Sequence, residues 1–134
     1  MATAQPPRPA ASRRPKYVDL NPAHLPPPGL VSIFHRVTGL ALFFPILPSL
    51  IFLLGATLGS EAGYREWRTF FAQPAVKLVM LAVVWAYAHH FFAGIRYLLL
   101  DVHVGIGKEA ARASAIAVLV LGLVATLLAG WCLW

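Results

Sequence analysis

The chain predicts an all-α integral membrane bundle: three transmembrane helices behind a short basic, proline-rich N-terminal tail. Three observations carry this. The 134 residues are 59% hydrophobic and only 12% charged, about half of the roughly 25% charge content usual in soluble domains. The apolar residues gather into three stretches long enough for the ~30 Å hydrocarbon core of a bilayer, which takes about 20 residues of helix. Alternation with a period of two is absent, so a closed barrel is excluded and helices remain.

The elements follow in order within one membrane-anchor domain, 1–134. Residues 1–16 carry Pro6, Pro7, Pro9 and Pro15 among alanines and arginines and read as a mobile basic tail. Pro22, Pro26, Pro27 and Pro28 should hold Leu20 to Gly29 extended along the membrane surface, so that 1–28 form a cytoplasmic tail and surface segment. Helix I is expected over about 30–58, starting at Gly29 or Leu30. It includes 24 uncharged residues from Val37 to Ser60, and Pro45 and Pro48 should bend it because each lacks a backbone donor. A cleaved signal peptide is not expected, because some 30 polar and proline-rich residues precede an apolar stretch too long for one. Gly59 to Gln73 is a charged connection with Glu61, Arg65, Glu66 and Arg68. Helix II is expected over about 74–100, with Pro74 suited to its first turn. Gly105 and Gly107 close the second connection. Helix III, about 113–134, has 22 residues without a charge.

The net charge of +6 does not point to nucleic acid, because the basic residues flank apolar stretches rather than forming a phosphate-binding stripe. It points to topology. With the N-terminus inside, Arg8, Arg13, Arg14, Lys16, Arg36, Arg96, Lys108 and Arg112 are cytoplasmic and Arg65, Arg68 and Lys77 are opposite, eight against three. That places the N-terminus in the cytoplasm and the C-terminus outside. The single Cys132 can form no internal disulfide.

Polar side chains at membrane depth are costly and mark functional candidates. Ser32, His35, Arg36 and Gly39 fall at i, i+3, i+4 and i+7 of one helical face, a group able to hydrogen-bond a carbonyl or a carboxylate. The alternative on spacing alone is that Arg36 snorkels to the headgroups while His35 meets a neighbouring helix. On helix II, His90, Gly94, Tyr97 and Asp101 form a second stripe. Ala86 and Gly94, one turn to either side of His90, leave room for a flat macrocycle, whereas His89 has Trp85 as a one-turn neighbour. If one histidine ligates haem iron, His90 is favoured; the alternative is an interhelical hydrogen bond in a tight bundle.

The run Ser32-Ile33-Phe34-His35-Arg36-Val37-Thr38-Gly39 resembles the Ser-x-x-His-Arg-x-[Ser/Thr]-Gly signature of the cytochrome b subunits of succinate dehydrogenase. The run from His90 to Asp101 resembles their second signature, His-x-x-x-Gly-x-Arg-His-x-x-x-Asp, with Tyr97 in place of the second histidine. Arg14-Pro15 and Asp19-Leu20 also look like the family's N-terminal segment. The resemblance implies a membrane anchor of succinate:ubiquinone oxidoreductase in the bacterial inner membrane. Its partners would be a flavoprotein subunit, an iron–sulfur subunit and a second membrane anchor. His90 matches the axial ligand of haem b, with a histidine of the second anchor on the other face. Ser32 and Arg36 match residues of the ubiquinone site, and His35 and Arg36 match positions near the haem propionates. Asp101 is expected to tether the end of helix II through Arg96 or a soluble subunit, and His89 to be structural. The residues leave other readings open: a fumarate reductase anchor, a haem-free anchor or assembly protein, a transporter subunit, or an intrachain ligand pair of His35 with His90.

Overall fold

The computed structural model describes residues 25–134. The basic tail, the Arg14-Pro15 and Asp19-Leu20 pairs and the start of the proline-held segment lie outside the described residues. Five α-helices follow: α1 (Pro27–Ala41), α2 (Leu47–Leu58), α3 (Glu61–Phe71), α4 (Pro74–Asp101) and α5 (Lys108–Leu133). A π-helical turn, Leu42–Ile46, joins α1 to α2. The described residues contain no strand. Three continuous helical spans are long and apolar enough to cross a membrane: Pro27–Leu58, Pro74–Asp101 and Lys108–Leu133.

Helix α1 starts earlier than the prolines of its sequence imply. Pro27 and Pro28 occupy its first turn, where an amide N–H would have no intrahelical partner and its loss costs nothing. The carbonyl of Pro26 accepts from the amides of Gly29 at 2.8 Å and Leu30 at 3.2 Å. Of the two prolines expected to bend this span, one coincides with its irregular turn. Pro45 lies inside the π-helical turn, which absorbs the missing donor and the crowding of the preceding turn. Pro48 sits harmlessly in the first turn of α2.

The charged connection after α2 is itself a helix. Ser60 caps α3, its Oγ accepting from the Gly63 amide at 3.0 Å, and Glu61 and Arg68 complement the dipole at its two ends. At 100° per residue, Gly63, Tyr64, Trp67, Phe70 and Phe71 share one arc and the charged residues share the other. Gly63 is required for the fold-back, because a Cβ there would stand 2.5 Å from the carbonyl oxygen of Ala56. Trp67 meets Phe52 of α2 edge-on at 6.3 Å between ring centroids.

Helix α5 begins at Lys108, five residues before its uncharged stretch, so that Lys108, Glu109 and Arg112 form exposed leading turns. At its far end Lys77 of α4 donates to the carbonyl of Leu133 at 2.6 Å and lies 5.0 Å from the Trp134 ring centre. A cation there suits the negative end of a helix dipole.

Helices α4 and α5 pack along one another, and α1 lies against both. Helix α2 diverges after the π-helical turn towards α3. The interior is made of small or branched residues: Val31, Ala86, Ala88, Ala93, Ala115 and Val118. Large side chains such as Phe43, Phe44, Leu54, Leu98 and Trp131 are exposed. Lipid tails are as apolar as leucine, so helices in a membrane associate through close packing and hydrogen bonds, which small residues permit.

Candidate functional site

Three of the side chains predicted to matter, His35, His90 and Tyr97, meet in the groove between α1 and α4. His90 projects from α4 onto Gly39 of α1: a Cβ added at Gly39 would lie 2.9 Å from His90 Cε1 and 3.4 Å from its Nδ1. His90 Nδ1 stands 3.1 Å from the backbone oxygen of His35 and 3.4 Å from Thr38 Oγ1. One face of the ring is covered by the imidazole of His35, stacked at 4.2 Å with 12° between the planes. Tyr97 lies beyond His35, its ring 5.1 Å away. His90, His35 and Tyr97 therefore form an aromatic column along the groove. The room beside Gly94 holds the His35 ring, whose Nε2 lies 3.9 Å from where a Gly94 Cβ would stand.

The donor set fixes the chemistry of His90. A carbonyl oxygen can only accept, so the proton of the neutral imidazole resides on Nδ1 and the lone pair on Nε2. Nε2 has no hydrogen-bond partner among the described residues. This is the arrangement of a metal-ligating histidine, whose second nitrogen donates to a carbonyl. The residues present thus fit an axial ligand to haem iron. The His35 and His90 rings lie face to face, with 12° between their planes, rather than with nitrogens opposed.

Ser32 and His35 are half-buried, whereas Arg36 is exposed and has no hydrogen-bond or ion-pair partner among the described residues. The single face expected for Ser32, His35, Arg36 and Gly39 is therefore divided. His35 and Gly39 line the groove, and Arg36 is exposed.

The adjacent His89 has a different environment. It is 0% exposed and neither ring nitrogen is hydrogen-bonded; the Val31 backbone lies nearby without reaching hydrogen-bond geometry. Trp85 stacks on it at 5.4 Å and Phe34 meets it edge-on at 5.8 Å. Its backbone rests against Gly122 of α5.

Arg96, expected beside Asp101, turns instead to α5. Its Nε donates to Ser114 Oγ at 3.1 Å and an Nη to the Ala111 carbonyl at 3.3 Å, and it is buried while Asp101 is exposed. A hydroxyl and an exposed-turn carbonyl at the start of α5 are in reach because α4 and α5 pack so closely. An apolar cavity of about 540 Å³ lies in the other half of the molecule, between the π-helical turn, α3 and α4, lined by Pro45, Leu53, Phe71, Val79 and Met80. None of its lining residues is titratable, so the candidate site is the histidine groove.

Sequence reasoning missed Thr38 and Gly39 as the surface on which His90 rests. The Thr-Gly pair one turn beyond His35 was the available signal.

Comparison with known proteins gives the family. Residues 10–129 match the family of succinate dehydrogenase/fumarate reductase transmembrane subunits. The chain belongs to that family. Among its relatives is the succinate dehydrogenase cytochrome b556 subunit of Coxiella burnetii, 34% identical over 124 residues, covering 92% of this chain and 98% of the relative. The protein of the same description from Rickettsia felis is 30% identical over 98 residues, covering 73% and 75%. This succinate dehydrogenase/fumarate reductase subunit is accordingly a multi-pass membrane component of an enzyme complex. Both signature runs, Ser32 to Gly39 and His90 to Asp101, fall within the matched residues.

Proposed function

We propose that this subunit anchors a succinate:ubiquinone oxidoreductase in the bacterial inner membrane. In that reading it holds one face of haem b through His90 and contributes Ser32 and Arg36 to the ubiquinone-reducing site. The observation that carries the reading is the state of His90: Nδ1 bound to the His35 carbonyl, Nε2 bearing a lone pair. A flavoprotein and an iron–sulfur subunit oxidise succinate and deliver electrons to the membrane. A second anchor subunit supplies the opposing histidine. This chain performs no succinate chemistry of its own.

When bound, haem b supplies a one-electron carrier within the membrane, its potential set by axial ligands and surroundings. The chain's own residues do the rest. His90 Nε2 donates its lone pair while His35 and Gly39 hold the ring. The Arg36 guanidinium, always charged, is exposed and stabilises negative charge developing on a quinone oxygen or pairs with a propionate. The Ser32 hydroxyl, one turn before it, donates a hydrogen bond to the quinone carbonyl.

The test is a reduced-minus-oxidised spectrum of the purified complex. His90→Ala is expected to remove or sharply weaken the low-spin haem signal. His89→Leu is expected to leave it intact, because the buried His89 nitrogens bind nothing. A full signal in His90→Ala overturns the ligand assignment.

A further inference from the structure

We propose that Thr38, Gly39 and the His35 backbone carbonyl act together as a seat for His90, setting both its tautomer and its angle before any iron is bound. The proposal rests on His90 being the haem ligand and concerns what makes it one.

The tautomer follows from counting protons. Thr38 is buried, at 3% exposure, and its Oγ1 lies 2.7 Å from the carbonyl of Phe34 and 3.2 Å from that of His35. The hydroxyl has one proton, and the nearer carbonyl takes it. The Thr38 oxygen therefore turns a lone pair towards His90 Nδ1, as the His35 carbonyl also does. Two acceptors on one nitrogen require that nitrogen to be the N–H. The other tautomer would face three lone pairs towards one another. Iron ligation at Nε2 is thus prepared by α1, not chosen after the metal arrives.

The angle follows from sterics. The face of the ring lies against the His35 imidazole at 4.2 Å, and its Cε1 edge meets the bare Cα of Gly39, where a Cβ would approach within 2.9 Å. The ring is rigid and rooted on a 28-residue helix, so a side chain at Gly39 must displace the imidazole. The π-helical turn begins three residues later, which leaves the seat on the last regular turn of α1.

The experiment compares Gly39→Val, Thr38→Val, Thr38→Ser and His90→Ala in the purified complex, with flavin content reporting assembly. The readouts are the haem-to-flavin ratio, the low-spin electron paramagnetic resonance g values and the haem midpoint potential. A side chain at Gly39 would occupy the place of the His90 ring edge, 2.9 Å from Cε1 at the Cβ alone, so Gly39→Val is expected to assemble with little haem. Thr38→Val removes the second acceptor and makes the imidazole a weaker base. Haem should remain, with shifted g values and a raised potential. Thr38→Ser keeps the hydroxyl and should restore wild-type values, which a merely steric role for Thr38 would not produce. Wild-type g values and potential in Thr38→Val overturn the proposal, as does full haem occupancy in Gly39→Val. If Gly39→Val does not assemble, the two Thr38 variants decide. Loss of haem in His90→Ala, with no change in the seat variants, sinks the seat alone; full haem in His90→Ala sinks the ligand assignment beneath it.

Discussion

Two adjacent histidines on one helix have opposite environments, because neighbouring residues on a helix point about 100° apart. His90 turns to α1 and finds acceptors for one nitrogen. His89 turns to the interior and finds none. Arg36 differs from both in being exposed. In the proposed function its charge is compensated by a quinone oxygen or a propionate. Losing one preorganised charge-stabilising donor commonly costs on the order of 10²–10³ in rate. Arg36→Leu should therefore lower quinone reductase activity by about that factor, while succinate oxidation by an artificial acceptor that bypasses the membrane stays near wild type. Ser32→Ala should act in the same direction more weakly. An assembled Arg36→Leu complex that reduces ubiquinone at the normal rate would remove Arg36 from the quinone site.

Between elements, one of the contacts that tie α4 to α5 is the buried Arg96. Its partners are the Ser114 hydroxyl and the Ala111 carbonyl, and the edge of its guanidinium lies over Tyr97 at 5.5 Å. Ser114 Oγ is itself 3.2 Å from the Ala111 carbonyl, so the three groups form one small network. Ser114→Ala leaves a buried cationic Nε without its acceptor. An unsatisfied buried group costs about 1–3 kcal/mol, more when charged. The expected outcome is a lower thermal midpoint for the purified complex with haem content unchanged, since Ser114 bonds Arg96 and the Ala111 carbonyl rather than His90. A midpoint equal to wild type would show that another acceptor replaces the hydroxyl.

For the molecule as a whole, the excess of lysine and arginine on one side predicts orientation. The start of α1 and the α4–α5 connection share an end of the bundle; Arg36, Arg96, Lys108 and Arg112 together with the four basic residues that precede α1 in the sequence make eight of the eleven. That end should be cytoplasmic. Reporter fusions after Gln73 and after Trp134 should be active in the periplasm, and a fusion after Gly107 should be inactive there. Gln73 is chosen because it lies between α3 and α4, whereas a junction at Gly63 would break α3 where it touches Ala56. A cytoplasmic report at Gln73 would reverse the orientation.

The primary structure alone determined the class and the number of spans, because a bilayer accepts only long apolar helices and these are legible as uncharged runs. It also singled out His90, His35, Ser32 and Arg36, since polar residues in such runs are few and fall in two recognisable signatures. It did not reveal that Pro27 and Pro28 begin a helix or that Glu61–Phe71 forms one. Proline reads as a breaker unless its place in the first turn is known, and charges obscure a short amphipathic arc. Only the tertiary structure decided that the His35 carbonyl, Thr38 and Gly39 meet His90, that Arg96 faces Ser114 rather than Asp101, and that Arg36 stands apart from its helical neighbours. Each of these depends on how α1, α4 and α5 are rotated against one another. In a membrane that rotation is set by the close packing of small residues, and periodicity along a single helix does not encode which face its neighbour will take.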